Sequence, residues 1–249
     1  MKKFIESISN VWKIEELKNR ILITLGLLLV YRFGAQVTLP GIDATQLGNL
    51  AGQTKEGIGS ILDMFTGGAF SQASVFALGI MPYISASIVV QLMGIAIPYL
   101  RKLQSDGESG RKKINQITRW LTIGITLVQG PTYIYNLYRT LPSNAFLLGF
   151  NSFEFLFSSV IILVTGTIFA MWLGEKITDK GIGNGISLLI MVGILARFPQ
   201  AFIQEFTTRV TNNNGGPMLL VIEIIIWLLV IVCCVLLVMA VRRIPVQYA

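Results

Sequence analysis

The sequence contains no histidine, only two cysteines and few charged residues. Without histidine, the chain cannot form the imidazole metal sites or the histidine general bases that many enzymes use. The cysteines, Cys233 and Cys234, are adjacent inside an apolar run, so they give no indication of an oxidising compartment. Charged residues make up 13% of the chain, whereas soluble domains contain about 25%. We therefore do not expect a soluble domain.

Long apolar runs take the place of the missing charge. The mean hydropathy is +0.67, and 53% of the residues are hydrophobic. Residues 64–100, 155–174 and 224–241 contain no charged side chain. Since a helix needs roughly 20 apolar residues to cross a bilayer, each of these runs is long enough. The sequence therefore predicts an all-α, polytopic membrane protein.

Six membrane spans are predicted, over residues 21–39, 75–97, 120–138, 153–173, 185–206 and 218–241. Residues 1–20 precede them and have the pattern of an amphipathic helix on the membrane surface. We treat residues 21–206 as one region with five spans, and residues 207–249 as the sixth span with the start of a loop. Within the second span, Pro82 is expected to kink the helix, because proline leaves a backbone carbonyl without its partner.

The distribution of Lys and Arg predicts the orientation in the membrane. Of the 20 such residues, 15 lie in residues 2–20, 98–119, 175–184 and 242–249, which alternate with the other loops. Because positively charged loops stay in the cytoplasm, both termini are expected there. The net charge of +7 is thereby explained without nucleic-acid binding.

One apolar segment lies outside the predicted spans, on the outer side. We call residues 58–71 the turn-back segment. An irregular segment facing lipid would leave backbone groups unpaired, so this one is expected to fold back into the bundle as a short helix. The side chains that need burial there are Ile58, Ile61, Leu62, Met64 and Phe65.

The residue chemistry predicts neither an enzyme nor a cofactor site. Acidic residues such as Asp63 lie in predicted loops with no histidine or cysteine near them. No P-loop is encoded, and the glycine-rich residues 181–185 follow a span rather than a strand, which predicts a tight turn. Charges within spans are few and are expected near the span ends: Arg32, Arg197, Glu205 and Glu223. A proton or ion relay would instead need carboxylates near the middle of the membrane.

Two isoleucine pairs stand four residues apart, Ile80 with Ile84 and Ile186 with Ile190, so each pair shares one helix face. From the residues alone, this pattern is typical of ordinary helix packing.

Several longer motifs point to one family. Residues 76–87 read FALGIMPYISAS, residues 106–116 read DGESGRKKINQ, and residues 172–187 read WLGEKITDKGIGNGIS. Shorter matching stretches are residues 40–43, 64–69 and 242–249. On these motifs the chain resembles, over its whole length, the SecY family of channel subunits in the Sec protein translocon.

This resemblance implies a channel that moves unfolded secretory polypeptides across the membrane and releases hydrophobic segments sideways into lipid. In the family, ten spans form two pseudo-symmetric halves around an hourglass pore. The six predicted spans correspond to one half plus one span, so the resemblance implies either that this chain is a fragment or that the C-terminal half of the channel is a separate piece. It also implies SecE and SecG subunits, the SecA ATPase or a ribosome, and precursor proteins as partners in a bacterial-type inner membrane.

The resemblance further assigns roles to individual residues. It implies an apolar pore ring at Ile80, Ile84, Ile186 and Ile190. It implies a plug, seated by weak apolar contacts, at Ile58, Ile61, Leu62, Met64, Phe65, Gly67 and Gly68. It implies one wall of a lateral gate at Pro82, Ser85, Ser87 and Gln91. One departure is Gln72, where many family members carry arginine. Two other functions stay open: a secondary transporter of a small solute, and a membrane scaffold without a pore.

Overall fold

The computed structural model describes residues 13–47, 58–146, 152–210 and 216–240. Its α-helices are α1 Glu15–Gly34, α2 Ile58–Phe65, α3 Met81–Ala96, α4 Pro98–Ser105, α5 Gly107–Thr140, α6 Ser152–Lys180, α7 Gly185–Val210 and α8 Gly216–Met239. Within these ranges the only β pairing consists of two isolated bridges, Thr38 with Ser74 and Ile42 with Phe146. The all-α fold class is therefore confirmed for the described part of the chain.

Three described helices are long and apolar enough to cross a bilayer: Phe153–Lys180, Gly185–Arg209 and Met218–Met239. A fourth span is added if α3 and α4 count as one, although they meet at an angle of 105°. These four positions correspond to predicted spans 4, 5, 6 and 2. Helix α5 covers predicted span 3 and helix α1 covers predicted span 1 only as far as Gly34, but both are more polar, so the total of six stays a prediction.

The expected kink at Pro82 is wrong. Helix α3 begins at Met81, so Pro82 lies in its first turn, where no helical hydrogen bond from its nitrogen is required. The chain bends instead at Ile97, immediately before Pro98 starts α4. This agrees with the restriction that proline places on the residue before it.

Only part of the predicted surface helix over residues 1–20 can be compared with the structure, because residues 1–12 lie outside the described ranges. Helix α1 starts at Glu15 and continues without a break into the predicted first span, where it ends at Gly34, five residues before the predicted end of that span. The described chain divides into two compact units, one ending at Arg197 and the other starting at Phe198. The domain boundaries after residues 20 and 206 stay predictions.

In the first unit, α5 packs against α3, α4 and α6, and α1 packs against α6. A buried cluster in this unit includes Leu39, Ile134 and Leu163. The backbone N–H of Leu39 donates to the Ala73 carbonyl at 2.8 Å, which joins the loop after α1 to the loop that follows the turn-back segment. This hydrogen bond therefore holds together the stretches of chain before and after the turn-back segment.

In the second unit, Arg209 forms ion pairs with Glu205 and Glu223, each at 2.7 Å. The Phe198 ring stacks on Trp227 with ring centroids 5.2 Å apart. The apolar side chains of α8 are exposed along its length. An apolar helix with such a surface is suited to contact with lipid.

Candidate functional site

The structure brings three of the four predicted ring isoleucines together. Ile80 lies one residue before α3, is 4% exposed, and accepts a 3.0 Å hydrogen bond from the N–H of Ile84. Ile80, Ile84 and Ile186 belong to one apolar cluster, which also contains Tyr31 and Leu189. We call it the ring cluster. Its members come from α1, α3, α6, α7, the turn-back segment and the loop that follows it.

Ile190 does not join the ring cluster. It lies one turn further along α7 and lines an open apolar groove with Met191 and Ile194. The predicted ring of four is thus represented in this chain by a packed group of three and one isoleucine apart from it.

Close contact between α6 and α7 fixes the position of Ile186. The Asn184 side-chain oxygen accepts hydrogen bonds from the N–H groups of Ile186 and Ser187, as an N-cap residue does. A Cβ on Gly185 would stand 2.1 Å from the Gly174 carbonyl oxygen, so only glycine fits there. The tight turn predicted at residues 181–185 is therefore confirmed, and it sets the register of the first turn of α7.

The turn-back segment begins with a short helix, as predicted. Helix α2 ends at Phe65, and the chain reverses through Gly67 and Gly68, whose φ angles of 65° and 96° favour glycine. Ala69 follows, is fully buried and belongs to the ring cluster. Of the predicted plug side chains, Leu62 and Phe65 are half-buried, Ile61 and Met64 are exposed, and that of Ile58 lies outside the described residues.

A charged side chain from α7 also contacts the turn-back segment. Nη2 of Arg197 lies 2.7 Å from Oδ2 of Asp63 and 2.8 Å from the Ser71 hydroxyl oxygen. The second carboxylate oxygen of Asp63 accepts the Ser71 N–H at 2.8 Å. We call these three residues the Arg197 cluster.

Two further helices donate hydrogen bonds to backbone carbonyls of the segment. Nη1 of Arg32 on α1 donates to the Gly67 oxygen at 2.8 Å. The Tyr133 hydroxyl on α5 donates to the Phe70 oxygen, also at 2.8 Å. Helices α1, α5 and α7 therefore all hold the segment through polar contacts, so weak apolar contacts alone do not describe its seating.

Two expectations about charge are wrong. Arg197 lies at the middle of the 26-residue helix α7, about 18 Å from its start at 1.5 Å per residue, and not near a span end. Asp63 lies in helix α2 and not in a loop. An arginine in the middle of a predicted span is a sequence signal that a charged partner is needed. The sequence does not identify that partner, Asp63, because it lies 134 positions away along the chain. Gln72 is exposed.

The four predicted gate residues of α3 lie in different surroundings. Pro82 is buried, whereas the Gln91 amide is exposed and donates to the Ser87 hydroxyl at 3.2 Å. Ser85 lines a cavity of about 330 Å³ between α2, α3 and α5, together with Leu62 and Gln129. No sequence pattern indicates this cavity, because its walls come from three separate segments. The role of these residues in a gate stays a prediction.

Comparison with known proteins places the chain in one family. A model of the SecY family matches residues 74–249. The chain is 48% identical over 192 residues to the protein translocase subunit SecY of Haemophilus influenzae, which covers 76% of this chain and 42% of that protein. It is also 48% identical over 186 residues to SecY of Escherichia coli K12, covering 75% of this chain and 42% of that protein. The chain thus spans less than half the length of these relatives.

Two solved structures also match. One is Sec61 in the canine ribosome–channel complex from the endoplasmic reticulum, with 20% identity, a TM-score of 0.47 and coverage of 84% of this chain and 42% of that one. The other is a protein-conducting channel with 21% identity, a TM-score of 0.47 and coverage of 84% and 41%.

Proposed function

The chain belongs to the SecY family, and we propose that it forms the N-terminal part of the pore in a protein-conducting channel. In this proposal it translocates unfolded secretory polypeptides and releases hydrophobic segments sideways into the bilayer. The ring cluster is the constriction, the turn-back segment is the plug, and Pro82, Ser85, Ser87 and Gln91 lie along one wall of the lateral gate.

The observation that carries the proposal is the meeting of Ile80 and Ile84, at the start of α3, with Ile186 of α7, and Ala69 of the turn-back segment is packed in the same cluster. Branched apolar side chains offer ions and water no hydrogen-bond partners, so a narrow constriction lined by them excludes water. The same lack of specific chemistry lets any polypeptide side chain pass. A ring of this kind can therefore seal and conduct at different times.

Sorting at the lateral gate follows from partition into the bilayer. Leu, Ile, Phe and Val each gain about 0.3 to 0.6 kcal/mol at the bilayer centre, whereas Asp, Lys and Arg each lose about 2.5 to 3.5 kcal/mol. A hydrophobic segment next to α3 therefore leaves sideways, and a polar chain continues through the pore.

The proposal includes partners and a location. The energy for transport comes from outside the chain, because the sequence encodes no P-loop, and we propose no enzymatic activity of its own. The SecA ATPase or a ribosome supplies the precursor, and SecE, SecG and the C-terminal half complete the channel. The channel lies in a bacterial-type inner membrane with the N-terminus in the cytoplasm, which accords with the distribution of Lys and Arg.

The test is site-specific photo-crosslinking in the complete channel. A photoreactive residue replaces Ile84 or Ile186, the remaining half of the channel is supplied, and a secretory precursor is arrested during translocation. We expect precursor adducts at both positions that disappear when the signal sequence is removed. The matched control is Leu236 on the exposed surface of α8, which is expected to react with lipid and not with the precursor. No adduct at either isoleucine in an assembled channel would contradict the proposal.

One observation favours a secondary transporter instead, because the Asp63 carboxylate pairs with Arg197 at the middle of α7. Paired charges within a membrane domain often mark an ion pathway. A transporter predicts saturable uptake of a small solute that is lost in Asp63→Asn, with no precursor adducts at Ile84. A scaffold without a pore predicts neither adducts nor uptake, and it would tolerate polar substitutions at Ile84 and Ile186.

A further inference from the structure

Arg197 is an unusual residue for the centre of an apolar helix. A guanidinium at that depth is costly unless it is paired, and such residues pair with other charges or with backbone carbonyls. Here the hydrogen-bond partners of Arg197, which are Asp63 and Ser71, both belong to the turn-back segment. The charge of α7 is therefore satisfied by a segment that must leave if the pore opens.

The contact also organises the segment itself. Asp63 accepts the Ser71 N–H with one oxygen and pairs with Arg197 through the other, so it joins the start of the segment to its end. The Ser71 hydroxyl accepts from Arg197 and donates to the Gly68 carbonyl at 3.2 Å. Because charge-assisted hydrogen bonds are directional, this arrangement has one seated geometry. Displacement of the segment removes both partners of Arg197 together.

The turn fits closely against α7 beside this charge. A Cβ on Gly68 would stand 2.5 Å from Nη2 of Arg197, and a Cβ on Gly67 would stand 2.8 Å from the Gly193 backbone. Two glycines at the turn thus allow the backbone to lie directly on the helix and under the guanidinium. Arg32 holds the same turn from α1 through the Gly67 carbonyl.

We propose that Arg197 is a polar latch for the turn-back segment, and that its ion pair with Asp63 keeps the resting channel closed until a precursor displaces the segment. This inference rests on the proposed function, because it requires the segment to move. Arg197 acts as a positioning residue: it holds the segment against the ring cluster and need not touch the precursor.

The experiment measures how often the segment leaves its seat. In the complete channel, reconstituted in vesicles without precursor, Cys233 and Cys234 are replaced by serine, and Ala69→Cys introduces a single thiol into the segment. Ala69 is fully buried in the seated segment, so a polar maleimide added outside labels the introduced thiol only after displacement. We expect Arg197→Gln and Asp63→Asn each to label about tenfold faster than the parent, equivalent to about 1.4 kcal/mol.

Two comparisons separate a latch from general damage. Arg209→Gln makes the same substitution on the same helix and also breaks ion pairs, but Arg209 pairs with Glu205 and Glu223 and so should leave labelling unchanged. The double variant Asp63→Asn with Arg197→Gln should label well under about a hundredfold faster than the parent, because each single variant already removes the ion pair that the two residues share. Arg197→Lys keeps the charge and should restore most of the protection.

The latch is rejected if the Arg197→Gln variant is labelled no faster than the parent and the Arg209→Gln variant. Additive effects in the double variant would also overturn it. If Arg197→Gln does not assemble, Asp63→Asn is compared with Arg197→Lys. Faster labelling of Asp63→Asn supports the latch, and equal labelling of the two variants rejects it. Precursor adducts at Ile84 are measured in the parent in parallel, and they separate the two proposals. If adducts form but the variants show no difference in labelling rate, only the latch is rejected. If the parent forms no adducts, the pore is rejected and the latch with it.

Discussion

The turn-back segment makes two sets of contacts with the bundle, which we call its apolar side and its polar side, and the chemistry of the two sets differs. On one side, Ala69 packs into the ring cluster against apolar neighbours. On the other, Asp63 and Ser71 bind Arg197, and the Gly67 carbonyl accepts from Arg32. Apolar burial contributes about 25 cal/mol per Å² whatever the orientation, whereas a charge-assisted hydrogen bond requires one geometry.

This difference indicates a division of labour within one small segment. In the proposed channel, the apolar side excludes water and ions but accepts many arrangements, so it re-forms after a polypeptide has passed. The polar side specifies where the segment rests, because it is satisfied only when Asp63 and Ser71 both reach Arg197. A segment held by apolar contacts alone would seal but would have no defined resting position.

The largest effect is expected on the apolar side. Ile80→Ala removes a buried side chain from the ring cluster and should lower the free energy of unfolding by about 2 to 4 kcal/mol, because it leaves a cavity. Ile190→Ala, outside the cluster, should cost under about 1 kcal/mol. Denaturant unfolding of the complete channel in detergent measures both. Equal losses in the free energy of unfolding would mean that Ile190 is packed as tightly as Ile80, and this result would contradict its separation from the ring cluster.

A somewhat smaller effect is expected where the two sides meet, at the glycine turn. Gly67→Ala combines a positive φ with a Cβ only 2.8 Å from the Gly193 backbone, so we expect a loss of about 1 to 3 kcal/mol. Gly26→Ala in α1 is the matched control. Its Cβ would have nothing within 4 Å, and alanine favours helix by up to about 1 kcal/mol. If both variants unfold alike, the close approach of the turn to α7 does not matter for stability.

The contrast between the two sides also shows how far the sequence alone can lead. Periodicity and hydropathy predict α6, α7, α8 and the short helix α2, because each is a local consequence of apolar spacing. The isoleucine pairs are visible in the sequence for the same reason. The separation of Ile190 from the ring cluster depends on how α7 packs against α3 and α6, which spacing along one helix does not encode.

The Arg197 cluster is beyond the reach of the sequence for a different physical reason. Asp63 and Arg197 are 134 positions apart, and the ion pair exists only after α2 has folded back onto α7. The expectation that Arg197 lies near a span end is wrong for another reason, because the predicted span over residues 185–206 already has Arg197 near its middle. The kink predicted at Pro82 is wrong because the rule for proline depends on where the helix begins, and α3 begins one residue earlier.

A single neutral hydrogen bond on the polar side should have a moderate effect. Tyr133→Phe removes the hydroxyl that donates to the Phe70 carbonyl but keeps the ring contact with Phe70, whose centroid lies 4.9 Å away. We expect a loss of about 1 kcal/mol in the free energy of unfolding. Tyr135→Phe, on the exposed face of α5, should stay within about 0.5 kcal/mol. A Tyr133 variant as stable as the parent would show that water replaces the lost donor.

The smallest effect is expected at Asp43, which offers a solvent-facing contrast to Asp63. The Thr45 N–H and hydroxyl donate to one oxygen of Asp43 at 2.9 and 2.8 Å and hold the pKa of this carboxyl below its usual value. A lowered folded pKa contributes stability above the unfolded pKa of about 3.9, and this contribution disappears as the pH falls through the folded value. Stability of the parent should therefore decrease slightly more than that of Asp43→Asn below about pH 4.

The reason for the small size lies in the range of the contact. Asp43 and Thr45 are two residues apart, so their turn forms locally and loses little when the chain unfolds. Asp63 depends on a partner from another helix, and its hydrogen bonds vanish entirely with the fold. Titration of the unfolding midpoint between about pH 3 and 6 compares the parent with Asp43→Asn across the carboxyl range. A large pH dependence that Asp43→Asn removes would contradict this distinction, since it would make a local, exposed carboxylate as important as the paired one under Arg197.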